Sequence, residues 1–158
     1  MFGLIFFPDR AAGFRELYRV IKPGGLAAVV AWSTMDRLRF MQVLLGALHE
    51  AMPQQPGPNE PPSWLALGDR DVLKAEMISA GFSQVNLFTV CHVWSFERPE
   101  LVFESLGGIS PAIQPIFERL QPAQRESFRR AFVRHFTEEQ GDGPFGIEGE
   151  AHIAVGVK

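Results

Sequence analysis

The chain has 158 residues, 46% of them hydrophobic and 21% charged, with a formal net charge of -3. That length supports a real core in one domain or part of one, and that composition excludes wholesale disorder. The small acidic excess, with no basic stripe, gives no ground for nucleic-acid binding, and no apolar run approaches a membrane span.

The first apolar run, Met1 to Phe7, breaks at Pro8-Asp9 into a helical pattern that extends to Ile21. Phe14, Leu17, Tyr18 and Ile21 recur at i, i+3, i+4 and i+7, while Arg15, Glu16 and Arg19 face away. Asp9 is a fair N-cap, because its carboxylate can accept from the free amides of the first turn. Pro23-Gly24-Gly25 stops the helix, and Leu26 to Trp32 is a continuous apolar run, as in a strand covered on both faces. An αβ unit of a parallel sheet needs a strand before its helix, and the residues ahead of Asp9 do not supply a full one. The chain therefore reads as the second half of a domain.

Asp36 to Met52 predicts a second helix, with Met41, Leu44, Leu45, Leu48 and Met52 as its buried stripe. Pro53 to Pro62 holds five prolines and predicts a loop. Asp69 or Asp71 can cap a helix to Ala80, Gly81 takes the C′ position, and Phe82 supplies the apolar contact after it. Ser83 to Phe96 predicts a long strand. Pro99 to Gln121 predicts one or two short helices broken at Gly107-Gly108 and Pro111, and Pro122 to Phe136 a clearer one with Phe128, Phe132 and Phe136 along one side. A strand from Phe145 closes the chain, with Ile147, Gly149, Ala151, Ile153, Val155 and Val157 on one face and Glu148, Glu150 and His152 beginning the other.

Three segments carry a resemblance: Phe2-Gly3-Leu4-Ile5-Phe6-Phe7-Pro8-Asp9, then Phe14 to Gly25, then Ala27 to Ser33, with a weaker echo in Ala80-Gly81-Phe82. In that order they resemble the C-terminal half of class I S-adenosylmethionine-dependent methyltransferases, in the branch that includes the ubiquinone and menaquinone C-methyltransferases. The resemblance implies an α/β fold, the C-terminal portion of a Rossmann-like seven-stranded sheet whose last strand runs antiparallel to the others. Leu26 to Trp32, Ser83 to Phe96 and Phe145 to Val157 would be its fifth, sixth and seventh strands, with flanking helices. Residues 1–9 would be the end of the fourth strand and the loop after it. The whole of 1–158 would then be a single incomplete domain, truncated relative to the family, with a helical and Pro-rich insert at about 34–68. The resemblance assigns Phe2, Gly3 and Leu4 to the cofactor, S-adenosylmethionine, and Phe6 and Trp32 to the acceptor. The Gly-rich turn and the acidic residue that hold the rest of the cofactor in such enzymes would lie upstream.

Other candidates read as structure. Gly141, Gly143 and Gly146 spell G-x-G-x-x-G, but after a helix and before a strand, the reverse of the setting that aims amides at a ligand, and Pro144 removes one amide. Lys22-Pro23-Gly24-Gly25 is a helix stop before it is a phosphate cradle. Glu148, Glu150 and His152 alternate as a solvent-facing strand surface requires, and are set aside as a metal or acid/base cluster. His49, His92 and His135 show no paired spacing, though His92 adjoins Cys91. Cys91 is the single cysteine, so neither an internal disulfide nor a cysteine-built zinc site can form in one chain. That points to a reducing, cytoplasmic compartment, and the N-terminal stretch lacks the basic leader of a secretory signal.

The expected function is methyl transfer to a small, hydrophobic acceptor, with no metal. The alternative is a catalytically incomplete homologue serving as a structural or regulatory subunit, or as a binding module. The edge of Leu26 to Trp32 would then pair with a second copy or another chain.

Overall fold

The computed structural model describes residues 2–53, 63–109, 113–141 and 143–158. The expected α/β class is borne out. Among the described residues, helices α1 (Arg10–Val20), α2 (Arg39–Ala51), α3 (Arg70–Ser79), α4 (Pro99–Ile109), α5 (Gln114–Arg119) and α6 (Pro122–Gln140) accompany strands β1 (Leu26–Trp32), β2 (Ser83–Phe96) and β3 (Phe145–Val157). The chain divides into two compact units, one of Met1–Leu38, Glu60–His92 and Gly149–Lys158, the other of Arg39–Asn59 and Val93–Glu148.

In the first unit, Asp9 caps α1 by accepting from the Ala12 amide at 2.8 Å. Gly24 turns the chain at a φ of 75°, a conformation that costs glycine little. The Gly24 amide donates to the Lys158 carbonyl at 2.8 Å and the Lys158 amide returns a bond to Gly25 at 3.0 Å, so the turn begins a ladder. β1 then pairs antiparallel with β3, from Leu26 opposite Val157 to Trp32 opposite Ala151. The sheet order is β1-β3-β2. Ser83 meets Val157, Thr89 meets His152 and Cys91 meets Glu150, so β2 also runs against β3. The last strand is thus antiparallel to both others, as the resemblance implied.

One face of this sheet is built from small residues. Ala27, Val29, Ala31 and Ala154 are buried with Phe14 of α1 and Leu73 and Met77 of α3. A Cβ at Gly156 would lie 3.0 Å from Met77 and from Phe82, so the strand must stay slim for α3 to seat. Asp69 caps α3 through the Asp71 and Val72 amides. Gly81, at a φ of 109°, ends it, and the Phe82 amide reaches back to the Met77 carbonyl at 3.1 Å.

The second unit is packed by rings. Phe103, Phe117, Phe128, Phe132, Phe136 and Phe145 are all buried in one cluster with Val43, Leu44 and Ala47 of α2. Each such ring contributes about 1.5–3 kcal/mol by leaving water. Two expectations are corrected here. The buried stripe of α2 is Val43, Leu44 and Ala47, with Phe40, Met41, Leu48 and Ala51 partly buried against the same cluster, so Leu44, Met41 and Leu48 of the expected stripe face the core and Leu45 and Met52 do not; Phe40 sets edge-on against Phe132 of α6. The glycine pair Gly107-Gly108 does not break α4, which continues to Ile109; Pro111 lies outside the described residues. α6 runs on to Gln140, opened by a capping box of Gln121 and Gln124. Most of the Pro-rich loop also falls outside the described residues.

Candidate functional site

The carboxyl end of β1 gathers the chemistry of the first unit. Here the chain from Phe2 to Asp9 is a 3-10 turn, Leu4–Phe6, rather than a strand end, and corresponds to the loop part of the expected segment. Gly13 on α1 makes room for it: a Cβ there would sit 2.6 Å from the Phe7 ring and 2.7 Å from the Leu4 side chain. Ile5 is buried, and Phe2 stacks on Trp32 with ring centroids 4.5 Å apart and planes inclined by 22°. Two residues that the resemblance assigned to cofactor and to acceptor are therefore in contact. Leu4 packs against α1, whereas Gly3 is exposed and Phe6 is 45% exposed.

The residue after Trp32 begins a chain of polar groups. Ser33 continues the ladder, its amide donating to the Glu150 carbonyl at 3.0 Å. Its hydroxyl donates to the Glu150 carboxylate at 2.7 Å and lies 3.2 Å from Nε2 of His152. Nδ1 of His152 is 3.0 Å from the Thr89 hydroxyl, which Arg70 also reaches. The Cys91 thiol completes the far side of Glu150 at 3.6 Å. Ser33 is 2% and His152 4% exposed, so both are fully inside.

Hydrogen-bond bookkeeping fixes one direction along this chain. An ionised carboxylate only accepts, so Ser33 must donate to Glu150 and its oxygen must accept from Nε2–H of His152. With the ring neutral, Nδ1 is bare and accepts from Thr89, whose oxygen accepts from Arg70, a group that only donates. The imidazole is neutral in this arrangement. Burial pushes its pKa down and Arg70 adds to that, against the Glu150 carboxylate, the Gly68 carbonyl and Asp69, which favour the charged ring. Glu150 is held below the usual carboxylate range, first by the Ser33 hydrogen bond, against partial desolvation, with Cys91, Arg37 and His152 assisting.

This corrects the sequence expectation for β3. The alternation places Glu148, Glu150 and His152 on one side, but only Glu148 is exposed; Glu150 is half-buried and His152 buried. His152 shares the strand face of Ala154, which Leu73 and Met77 of α3 cover, so the face that alternation assigns to solvent is buried at His152. Sequence alternation could not reveal that, nor that Ser33, Thr89 and Arg70 would meet there, because the pairing order is a long-range property. The remaining candidates serve local structure. Gly141 ends α6 with its amide on the Thr137 carbonyl, and Gly146 exchanges bonds with the Gln140 side chain. His135 sits on Glu50 at 2.7 Å in an exposed ion cluster of the second unit. Among the described residues, no group of three His, Cys, Asp or Glu could hold a metal ion.

With this geometry in place, comparison with known proteins adds the following. Residues 1–55 match the ubiE/COQ5 methyltransferase family. Methyltransferase tpcH of Aspergillus fumigatus is 35% identical over 91 residues, covering 56% of this chain and 32% of that protein. A solved structure from Bacillus halodurans C-125, BH2331, described as a candidate methyltransferase, superposes with a TM-score of 0.48 at 16% identity, over 99% of this chain and 66% of that one. The resemblance to class I S-adenosylmethionine-dependent methyltransferases read from the sequence is thus borne out by the family match and the curated relative. The chain spans about a third of the length of that relative, whose share in the match is 32%.

Proposed function

We propose that this chain forms the carboxyl-terminal part of an S-adenosylmethionine-dependent methyltransferase acting on a small, hydrophobic acceptor in the cytoplasm. The observation that carries the reading is the Phe2–Trp32 stack at the carboxyl end of β1, inside the segment that matches the family. Aromatic faces tolerate positive charge and exclude water, which suits a sulfonium donor and an apolar acceptor. The stack thus fits the methionine end of the cofactor. No Gly-rich turn follows a strand among the described residues, so the grip on the nucleoside is not theirs. When bound, the cofactor would supply an electrophilic methyl group; Phe2, Trp32 and Leu4 would orient it and keep the site dry.

Calorimetric titration of the full chain with S-adenosylmethionine tests this. Saturable heat that Trp32→Ala weakens about tenfold, a loss of about 1.4 kcal/mol, supports the reading; heat that Trp32→Ala leaves unchanged contradicts it. A second reading rests on β1, which has a strand on only one side among the described residues. A free edge can take another chain, making this a structural subunit. Sedimentation at micromolar concentration separates the two, since a strict monomer contradicts edge pairing.

A further inference from the structure

In the first unit α1 and α3 both seat on one face of the sheet, that of Ala27, Val29, Ala31 and Ala154. Side chains alternate along a strand, so the residues between these share the opposite face. There the ladder sets Leu26 beside Val157, Ala28 beside Val155 and Val30 beside Ile153. Because Thr89 meets His152, Phe88 falls beside Ile153 and Val90 beside Ala151. The described residues leave much of this face in water: Leu26 is 67%, Phe88 56% and Val90 44% exposed. No Asp, Glu, Lys or Arg occurs in residues 26–32, 84–90 or 151–157. A sheet face that stays in water ordinarily reads polar. This one reads Leu, Phe, Ile and Val, which marks it as a contact surface.

Its size selects the occupant. Seven residues at about 3.3 Å each, on three strands about 4.8 Å apart, make a face of about 23 by 14 Å, or roughly 300 Å². A stable dimer buries about 800 Å² on each partner, so two copies set face to face on this patch fall short. One helix, about 10 Å across and about 15 residues long for the same span, matches it. The same strands already take helices on their other face, the layering by which such sheets bury themselves. We propose that this open face docks one amphipathic α-helix of a partner chain, through an uncharged apolar stripe laid along β3 between Leu26 and Phe88. A charge in that stripe would meet no counter-charge on the sheet and would be desolvated unpaired. A contact of this area belongs to the transient class. The docking does not rest on the methyltransferase reading, because it uses the sheet's open side whatever chemistry the chain performs.

The test is a methyl NMR titration of the full chain with a synthetic peptide of leucine, glutamate and lysine, about 18 residues long so that it holds a helix. Its leucines stand at i, i+3, i+4 and i+7, and a scrambled peptide of the same composition lacks the stripe. The striped peptide should shift the Leu26, Ile153 and Val155 methyls saturably and the scrambled one should not. Val72 and Ile78, 40% and 52% exposed on α3, should stay unmoved. Phe88→Lys should weaken binding about tenfold or more, since it withdraws one buried ring, whereas Val72→Lys should leave it unchanged. Phe88 is already exposed, and unshifted resonances of the buried Leu73 and Met77 methyls show that the variant folds. Equal response to the two peptides, shifts that include Val72 and Ile78, or affinity indifferent to Phe88→Lys would overturn the proposal. So would shifts of this face with the chain's own concentration, which would make a second copy the occupant, or the same shifts with phosphatidylcholine vesicles, which would make it lipid.

Discussion

The two units of this chain solve the problem of burial in opposite ways. The second fills its interior with rings: Phe103 lies within 5.2–5.7 Å, centroid to centroid, of Phe117, Phe128 and Phe132, and Phe136 continues the stack to Phe145. The first keeps its sheet face thin with alanine and glycine and then places a serine and a histidine inside it. Ring packing is a matter of volume and tolerates no loss of it, while a buried polar chain is a matter of matched donors and acceptors and tolerates no missing link. The first arrangement holds a fold together; the second also holds a carboxylate at a set place.

The contrast can be broken from either side. Phe132→Ala removes a ring with contacts to Phe40, Phe103, Phe128 and Phe136 and should cost the most, about 3–5 kcal/mol by urea denaturation. Ser33→Ala should cost about 1–3 kcal/mol, because it strands the imidazole donor and one Glu150 oxygen. Ser33→Thr should recover most of that loss, which a purely volumetric account would not predict.

A smaller effect should appear with pH. The folded His152 pKa is depressed, so the unfolded chain takes up a proton first as pH falls through the ordinary imidazole value of about 6.5. Stability should therefore be full above that value and decline below it until the folded ring itself protonates. Urea midpoints at pH 7.5 and 5.5 measure this, and His152→Gln should flatten the difference. The smallest change should follow Glu50→Gln on the surface of the second unit, where Arg134 and His135 both engage the carboxylate. Those exposed partners hold its pKa down, so the contribution is present above the carboxylate range and lost as pH falls. Its size should be below about 1 kcal/mol and should shrink further in salt.

Much of the architecture was legible because it is written locally. Asp9 and Asp69 cap where a carboxylate must, Gly81 stops where a positive φ is needed, and both long strands carry their bounds in alternation and flanking turns. Of the candidate site, the resemblance named Phe2 and Trp32 separately, and the structure adds that their rings stack. The polar chain was not legible, since the alternation that exposed Glu148, Glu150 and His152 as a set says nothing of a strand's place in the sheet. The β1-β3-β2 order sets Ser33 and Thr89 beside His152, while α3 covers that face and brings Arg70 to Thr89. The α2 stripe was read only in part for a related reason: several apolar faces fit its periodicity, and the packed cluster takes Val43, Leu44 and Ala47.

The most direct measurement is a nitrogen-15 NMR titration of the His152 ring in the full chain. A neutral ring protonated on Nε2, titrating below the ordinary imidazole range and lower still in Glu150→Gln, is the predicted result, because the carboxylate favours the charged ring across Ser33. A ring protonated on Nδ1, or one that titrates in the ordinary range and ignores the loss of Glu150, would contradict the account.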